Sequence, residues 1–319
     1  MREPRFWRRG GNPWPARLLA PAAALYGAVT MLRRRYHRPY RAPVPVVVAG
    51  GLTLGGAGKT PLALALADML RDRNPHFLSR GYGGSARGPL RIDPARHGAA
   101  EVGDEPLLLA AAAPAWVARD RAAGARAAAE AGAGLLILDD GFQNPFLAKD
   151  LALIAVDGES GFGNGRVFPA GPLREPVGPA LTRAGAVVLI GADRTGIADA
   201  VATRCPVLRA RLAPKDGTAM AGARVYAFAG IGRPEKFFAS LEEAGAIIAG
   251  RRVFADHHPY TAAEAAALAA AAEAAGARLV TTAKDRLRLP GAWRSKAAIL
   301  EVRLEFENLA AVTALLSQL

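Results

Sequence analysis

A short β-branched run, a second short apolar run and the glycine-rich stretch that follows the first set the fold class. "VPVVVAG" (44–50) and "GLLILDD" (134–140) read as buried parallel strands, and "GGLTLGGAGKTP" (50–61) joins the first to a helical pattern. Together they predict an α/β fold: a P-loop NTPase-like parallel sheet with helices on both faces, plus a smaller C-terminal α/β domain and an N-terminal membrane-surface helix. The expected divisions are a basic, apolar segment (1–40), a P-loop core (41–205), a linker (206–222) and a C-terminal α/β domain (223–319).

The first segment is set apart by charge. The net charge is +13, yet residues 1–41 hold ten arginines and one glutamate, which leaves only +4 for the rest. A localised basic patch points to anionic lipid, nucleic acid or an acidic substrate, and its plain alternative is a solvated tail. Between Arg17 and Arg33 runs "LLAPAAALYGAVTML". As a helix it would be roughly 22 Å long, short of a hydrocarbon core of about 30 Å. Trp7 and Trp14 precede it, and Arg33, Arg34, Arg35 and Arg38 follow. Such flanks suit the headgroup layer, and the cluster after the run opposes translocation. A soluble helix packed on the domain is the competing expectation. Cys205 is the one cysteine, so no intramolecular disulfide is possible and a reducing compartment, the cytoplasm, is expected. Five histidines make a His-rich metal site a poor expectation.

The next element carries chemistry. In G-x-x-x-x-G-K-[ST], Gly58, Lys59 and Thr60 fit, but Thr53 stands where the first glycine belongs. The loop would be Thr53, Leu54, Gly55, Gly56, Ala57, Gly58, Lys59 and Thr60, with backbone N–H groups cradling phosphates. Lys59 would reach the β- and γ-phosphates of a nucleotide, and Thr60 would bind Mg²⁺. Pro61 falls in the first helical turn, where proline is tolerated. A glycine-rich turn without function is the plain alternative; the strand–loop–helix order argues against it. The second strand ends in Asp139 and Asp140, the form of a Walker-B strand whose carboxylate holds Mg²⁺. Further strands are expected at 150–158 and 184–192, and alanine-rich stretches at 109–133 and 262–277 read as helices. "PVLRARLAPKDGTAMAG" (206–222) reads as two short strands or a linker. A new α/β unit follows, with strands at 224–232, 246–254 and 277–282 and a helix at 234–245.

Seven segments, in order along nearly the whole chain, make it resemble the tetraacyldisaccharide 4'-kinases, the lipid A 4'-kinases of Gram-negative bacteria. They are "TLGGAGKTP", "SRGYGG" (79–84), "VGDEPLLLA" (102–110), "LDDGFQN" (138–144), "VDGESGFGNGRVFPAGPLREP" (156–176), "FADHHPYT" (254–261) and "TTAKD" (281–285). The fourth and fifth are the most specific, because generic P-loop proteins lack them. The family's loop also begins with Ser or Thr, which accounts for Thr53. Three positions depart from the pattern: Gly51 stands where Asn is common, Ala57 where Thr is, and Ala283 where the family has Glu.

The resemblance implies transfer of the γ-phosphate of ATP to the 4'-hydroxyl of tetraacyldisaccharide 1-phosphate, with Mg²⁺ held by Thr60, Asp139 and Asp140. It implies Asp104 as the general base, with His257 rather than His258 paired to it. Gln143, Arg174 and Glu175 would line the site, and Arg174 would suit phosphate oxygens. Arg33, Arg34 and Arg35 would meet the lipid surface or the 1-phosphate. The expected partners are the glycolipid and an anionic membrane surface, with no nucleic acid and no obligate protein partner. The expected location is the cytoplasmic face of the bacterial inner membrane, peripheral or monotopic. A cleft between domains, closing on its substrates, follows if Asp104 and His257 act together. For Asp104 the plain alternative is an acid at a helix N-terminus. The rival readings are a P-loop GTPase or metallochaperone, a P-loop ligase for a soluble substrate, and a membrane adaptor. Guanine recognition wants [NT]-K-x-D, and in Thr282-Ala283-Lys284-Asp285 the lysine falls one place late.

Overall fold

A computed structural model describes residues 4–216 and 220–319. The N-terminal segment forms α1 (Pro13–Leu18) and α2 (Ala20–Arg35), so the apolar run breaks at Leu19. Asn12 caps α1, and prolines occupy the first turn of each helix. Among the described residues no helix is long and apolar enough to cross a membrane.

The core then alternates. β1 (Val46–Gly51) leads through the glycine loop to α3 (Lys59–Met69), followed by β2 (Pro75–Ser79), β3 (Leu90–Arg91), α4 (Ala99–Val102) and α5 (Asp104–Ala110). Next come β4 (Ala115–Val117), α6 (Arg121–Glu130), β5 (Leu135–Asp139), β6 (Leu151–Asp157), α7 (Val177–Leu181), β7 (Ala186–Ile190), α8 (Ile197–Ala202) and β8 (Val207–Pro214). The second unit holds β9 (Arg224–Ala229), α9 (Pro234–Glu243), β10 (Ile247–Val253), α10 (Ala262–Ala274), β11 (Arg278–Thr281), α11 (Ala283–Arg288), α12 (Gly291–Arg294) and β12 (Ala298–Ile299). β13 (Val302–Phe306) and α13 (Leu309–Leu316) close the chain.

Nine strands form the large sheet in the order β13-β8-β7-β6-β1-β5-β2-β4-β3, and four form the small one, β10-β9-β11-β12. Among the described residues only the outer pairs β13–β8 and β3–β4 are antiparallel. β1 is buried along its whole length, as a central parallel strand must be. Its side chains alternate between two cores. Val47 and Ala49 join Leu62 and Leu66 of α3, whereas Val46 and Val48 join Ala125 and Ala128 of α6. That alternation is the reason helices cover both faces.

Two expectations need correction. The stretch 109–133 is not one helix: Pro114 interrupts it, and "AWV" becomes β4, parallel to β2 with Val117 fully buried. The alanine-rich helix is confined to α6, capped by Asp120. In the stretch 206–222, residues 207–214 form one strand of the large sheet; residues 217–219 lie outside the described residues. The chain also returns to that sheet through β13, so its last residues pack on the core.

Candidate active site

The glycine loop leaves the carboxyl end of β1, the side of an open parallel sheet where ligands bind. Gly58 sits in the left-handed region at φ +89°, and a Cβ there would meet Ile190 Cδ1 at 2.4 Å, so glycine is required. Lys59 opens α3, and its Nζ donates to the Gly55 carbonyl at 3.2 Å. Thr53 bridges to Leu173, and the Leu54 N–H donates to the Pro172 carbonyl at 2.8 Å. The exposed Gly56 and the buried Ala57 complete the turn. At Gly51, where Asn is common in the family, a Cβ would meet the flexible Lys59 side chain at 3.2 Å and the Ala155 carbonyl at 3.8 Å.

The paired aspartates point to different partners. Asp139 ends β5 and is buried; its Oδ2 accepts from Thr60 Oγ1 at 3.2 Å, and its Oδ1 has no hydrogen-bond partner among the described residues. Burial first, then the charges of Glu105 and Asp140, push its carboxyl up to about 7. Asp140 adopts φ +57°, which turns it away from its neighbour. Arg174 donates both Nη groups to it, at 2.8 and 2.9 Å, and Lys59 Nζ lies 3.9 Å away. Burial would raise the Asp140 carboxyl, but Lys59 and Arg174 outweigh it and hold it below its ordinary value.

Beneath the loop lies Glu175, 1% exposed, whose Oε1 accepts from Gln143 Nε2 at 3.2 Å. The same Gln143 nitrogen donates to the Gly51 carbonyl at 3.0 Å. Arg183 and Arg34 both donate to Glu175 Oε2. Arg34 therefore faces inward, which corrects the expectation that it meets lipid; Arg33 and Arg35 remain exposed.

Asp104 opens α5, and a cluster from the second unit meets it. Its Oδ2 accepts from Arg288 Nη2, and His257 Nδ1 lies 3.5 Å from the same oxygen. His258 turns away to Glu264 at 3.0 Å and stacks on Phe254. Both Asp104 and Arg288 are 7% exposed at the side chain. Burial would raise the Asp104 carboxyl, but His257 and Arg288 prevail and hold it well below the usual range. Next door, Lys284 Nζ donates to Glu105 Oε1 at 2.6 Å. Burial opposes the Lys284 charge, yet Glu105 outweighs burial and raises its ammonium. Glu105 and Lys284 also act on Asp139, so the Asp104 cluster and the Thr60–Asp139 pair are neighbours.

Residue patterns did not point to Arg183 or Arg288, and they marked Lys284 and Asp285 only as part of "TTAKD", without a role in the site. Asp285 is fully buried and accepts from Tyr260 Oη at 3.0 Å, Gly230 N at 3.1 Å and Arg288 Nη1 at 3.2 Å. The Asp285–Arg288 spacing of three on a helix was the available signal. Ala283, in the first turn of α11, is half-buried beside this cluster.

Comparison with known proteins then decides the family. The family described as tetraacyldisaccharide-1-P 4'-kinase matches residues 15–319. The chain belongs to that family. The tetraacyldisaccharide 4'-kinase of Rhodospirillum centenum is 58% identical, covering 97% of this chain and 94% of its own. The like-named protein of Paramagnetospirillum magneticum is 51% identical, covering 100% and 99%. A crystal structure from Aquifex aeolicus, titled an "apo" form of LpxK in complex with ATP, superposes with a TM-score of 0.74 at 26% identity, covering 95% of this chain and 98% of that one. For this tetraacyldisaccharide 4'-kinase family member, all seven segments of the resemblance lie inside the matched span.

Proposed function

We infer that this protein is a lipid kinase that transfers the γ-phosphoryl group of ATP to the 4'-hydroxyl of tetraacyldisaccharide 1-phosphate in lipid A biosynthesis. The carrying observation is the family match over 15–319 together with Lys59, Thr60, Asp139 and Asp140 at one strand-end crevice. The Aquifex aeolicus structure, in complex with ATP, supports ATP as the donor. The guanine-nucleotide rival loses support from contacts as well as spacing: Lys284 is engaged by Glu105, and Asp285 by Tyr260, Gly230, Thr282 and Arg288.

Phosphoryl transfer depends on positioning and charge stabilisation. Lys59 and the loop Thr53–Thr60 would hold the β- and γ-phosphates. The residues present suit Mg²⁺, because Asp139 Oδ1 is a buried carboxylate oxygen lacking a protein donor and Thr60 lies beside it. Thr60, Asp139 and Asp140 would hold the ion, which would neutralise charge on the phosphates. Arg174 orients Asp140, and Gln143 and Glu175 brace the loop from below. Asp104 would accept the proton of the 4'-hydroxyl, with His257 orienting it. A carboxylate gripped by Arg288 is a weak base, so this role requires Arg288 to give up Asp104 as the acceptor enters.

The N-terminal helices support a membrane-surface site at the cytoplasmic face of the inner membrane. Ala16, Ala23 and Gly27 face the protein, while Trp14, Leu18, Leu25 and Leu32 are more than half exposed. Arg33 and Arg35 stand at the end of this apolar stripe.

The test is an assay in detergent micelles with ATP, Mg²⁺ and tetraacyldisaccharide 1-phosphate, reading formation of the bis-phosphorylated lipid. Lys59→Ala should cost about 10²–10³-fold in turnover and Asp104→Ala about 10²–10⁴-fold. No lipid product from a wild-type protein that binds ATP would remove the acceptor assignment.

A further inference from the structure

Arg34 sits in the last turn of α2, on the outside of the molecule, yet its side chain enters the site's foundation. Its Nη2 donates to Glu175 Oε2 at 2.9 Å, and the Arg34 side chain is 24% exposed against 1% for that of Glu175. Glu175 Oε1 accepts from Gln143 Nε2, which also donates to the Gly51 carbonyl. Gly51 is the last residue of β1, from which the phosphate loop departs. The residue before Glu175 grips the same structure twice: Arg174 N donates to the Leu52 carbonyl at 2.7 Å, and its guanidinium holds Asp140. Two side chains therefore separate the N-terminal helix from the strand end that carries the loop.

A carboxylate this buried needs compensating charge from fixed directions. Arg183 supplies one, anchored over the Phe142 ring at 4.6 Å. Arg34 supplies the second, from an element that otherwise meets the rest of the protein through buried Ala23 and Gly27 and the Tyr26 ring against Phe168. Without Arg34, the carboxylate keeps Arg183 on Oε2 with Lys149 nearby, and it can rotate toward them and release Gln143. A shift of under an ångström at the loop then reaches the phosphates, where transfer is most sensitive to placement.

We infer that Arg34 is a positioning residue for phosphoryl transfer, coupling the seating of the N-terminal helix to the phosphate loop through Glu175 and Gln143. The inference rests on the kinase reading for its assay.

The experiment compares wild type, Arg34→Ala and Arg34→Lys in the micelle assay, with separate KM values for ATP and lipid and with thermal denaturation alongside. Arg34→Ala lowers kcat at least fivefold while both KM values stay within threefold, and Arg34→Lys recovers kcat to within threefold of wild type. If Arg34→Ala is not folded at the assay temperature, Arg34→Gln replaces it under the same thresholds. A kcat within fivefold of wild type, or a loss carried only by lipid KM, overturns the inference. Failure of the kinase reading is distinct, because the wild type itself would then give no phosphorylated lipid.

Discussion

Asp139 and Asp140 share a peptide bond but not an environment. β5 buries the first against Thr60, while the positive φ of the second swings it toward Lys59 and Arg174. Arg288 is the other decisive residue, since it joins buried Asp104 and Asp285. Arg288→Ala leaves both carboxylates without their cation and should cost about 3–5 kcal/mol in urea denaturation; a loss under about 1 kcal/mol would show that the cluster relaxes freely. His257 offers a pH test. Its Nδ1 lies 3.0 Å from Arg288 Nη2, which can only donate, and 3.5 Å from Asp104, to which it can donate when Nδ1 carries a hydrogen, as in the imidazolium or one neutral tautomer. One nitrogen cannot do both. The hydrogen bond and charge of Asp104 raise the His257 pKa above 6.5. Its stabilising effect is then full below pH 6.5 and fades as pH rises through the higher folded value. The difference in Tm between wild type and His257→Gln should therefore be largest near pH 6 and shrink toward pH 9. The opposite trend would identify Arg288 as the true partner.

At the scale of elements, α2 has two faces with different work. Ala23 and Gly27, one turn apart, let the helix approach the core, and Leu25 and Leu32 stand 68% and 55% exposed. Replacing both leucines with glutamate removes apolar contact worth about 1.5–3 kcal/mol each on burial. Binding to anionic phospholipid vesicles should fall at least tenfold, with little change in Tm because both side chains are more than half exposed. Binding by wild type should also weaken as salt rises, because Arg33 and Arg35 act through screened charge. Salt-independent binding would contradict the basic contribution.

On the scale of the whole molecule, the second unit is fastened to the core on both sides of the crevice. On one side Arg233 and Lys236, at the start of α9, hold buried Asp157 at the end of β6, and Arg233 also reaches Ser160 at 2.6 Å. On the other, Lys284 and Arg288 hold Glu105 and Asp104. We expect closure over ATP to use both. Asp157→Asn should loosen one side, raising the KM for ATP and the radius of gyration in small-angle scattering. An unchanged radius with an unchanged KM would mean that the Asp157 contacts are not part of closure.

Local sequence determined the phosphate loop, the strand before it, the paired aspartates and the basic, apolar N-terminus, because each depends on short-range spacing and periodicity. It placed β5, β6, β7, β10 and β11 to within two residues for the same reason, and overran the end of β9 by three. β4 was hidden because three residues are too few to show a period among alanines, and Pro114 was its only punctuation. β8 and β13 were hidden as sheet partners because antiparallel pairing across about 90 residues leaves no local mark. Long-range packing alone turned Arg34 inward while its neighbours stayed in solvent. It also brought Arg288 across from the second unit, and it set His257 beside Asp104 with His258 turned away, the choice the family resemblance had implied. Charge compensation of a buried group is a property of three-dimensional neighbours, and only the tertiary structure supplies them.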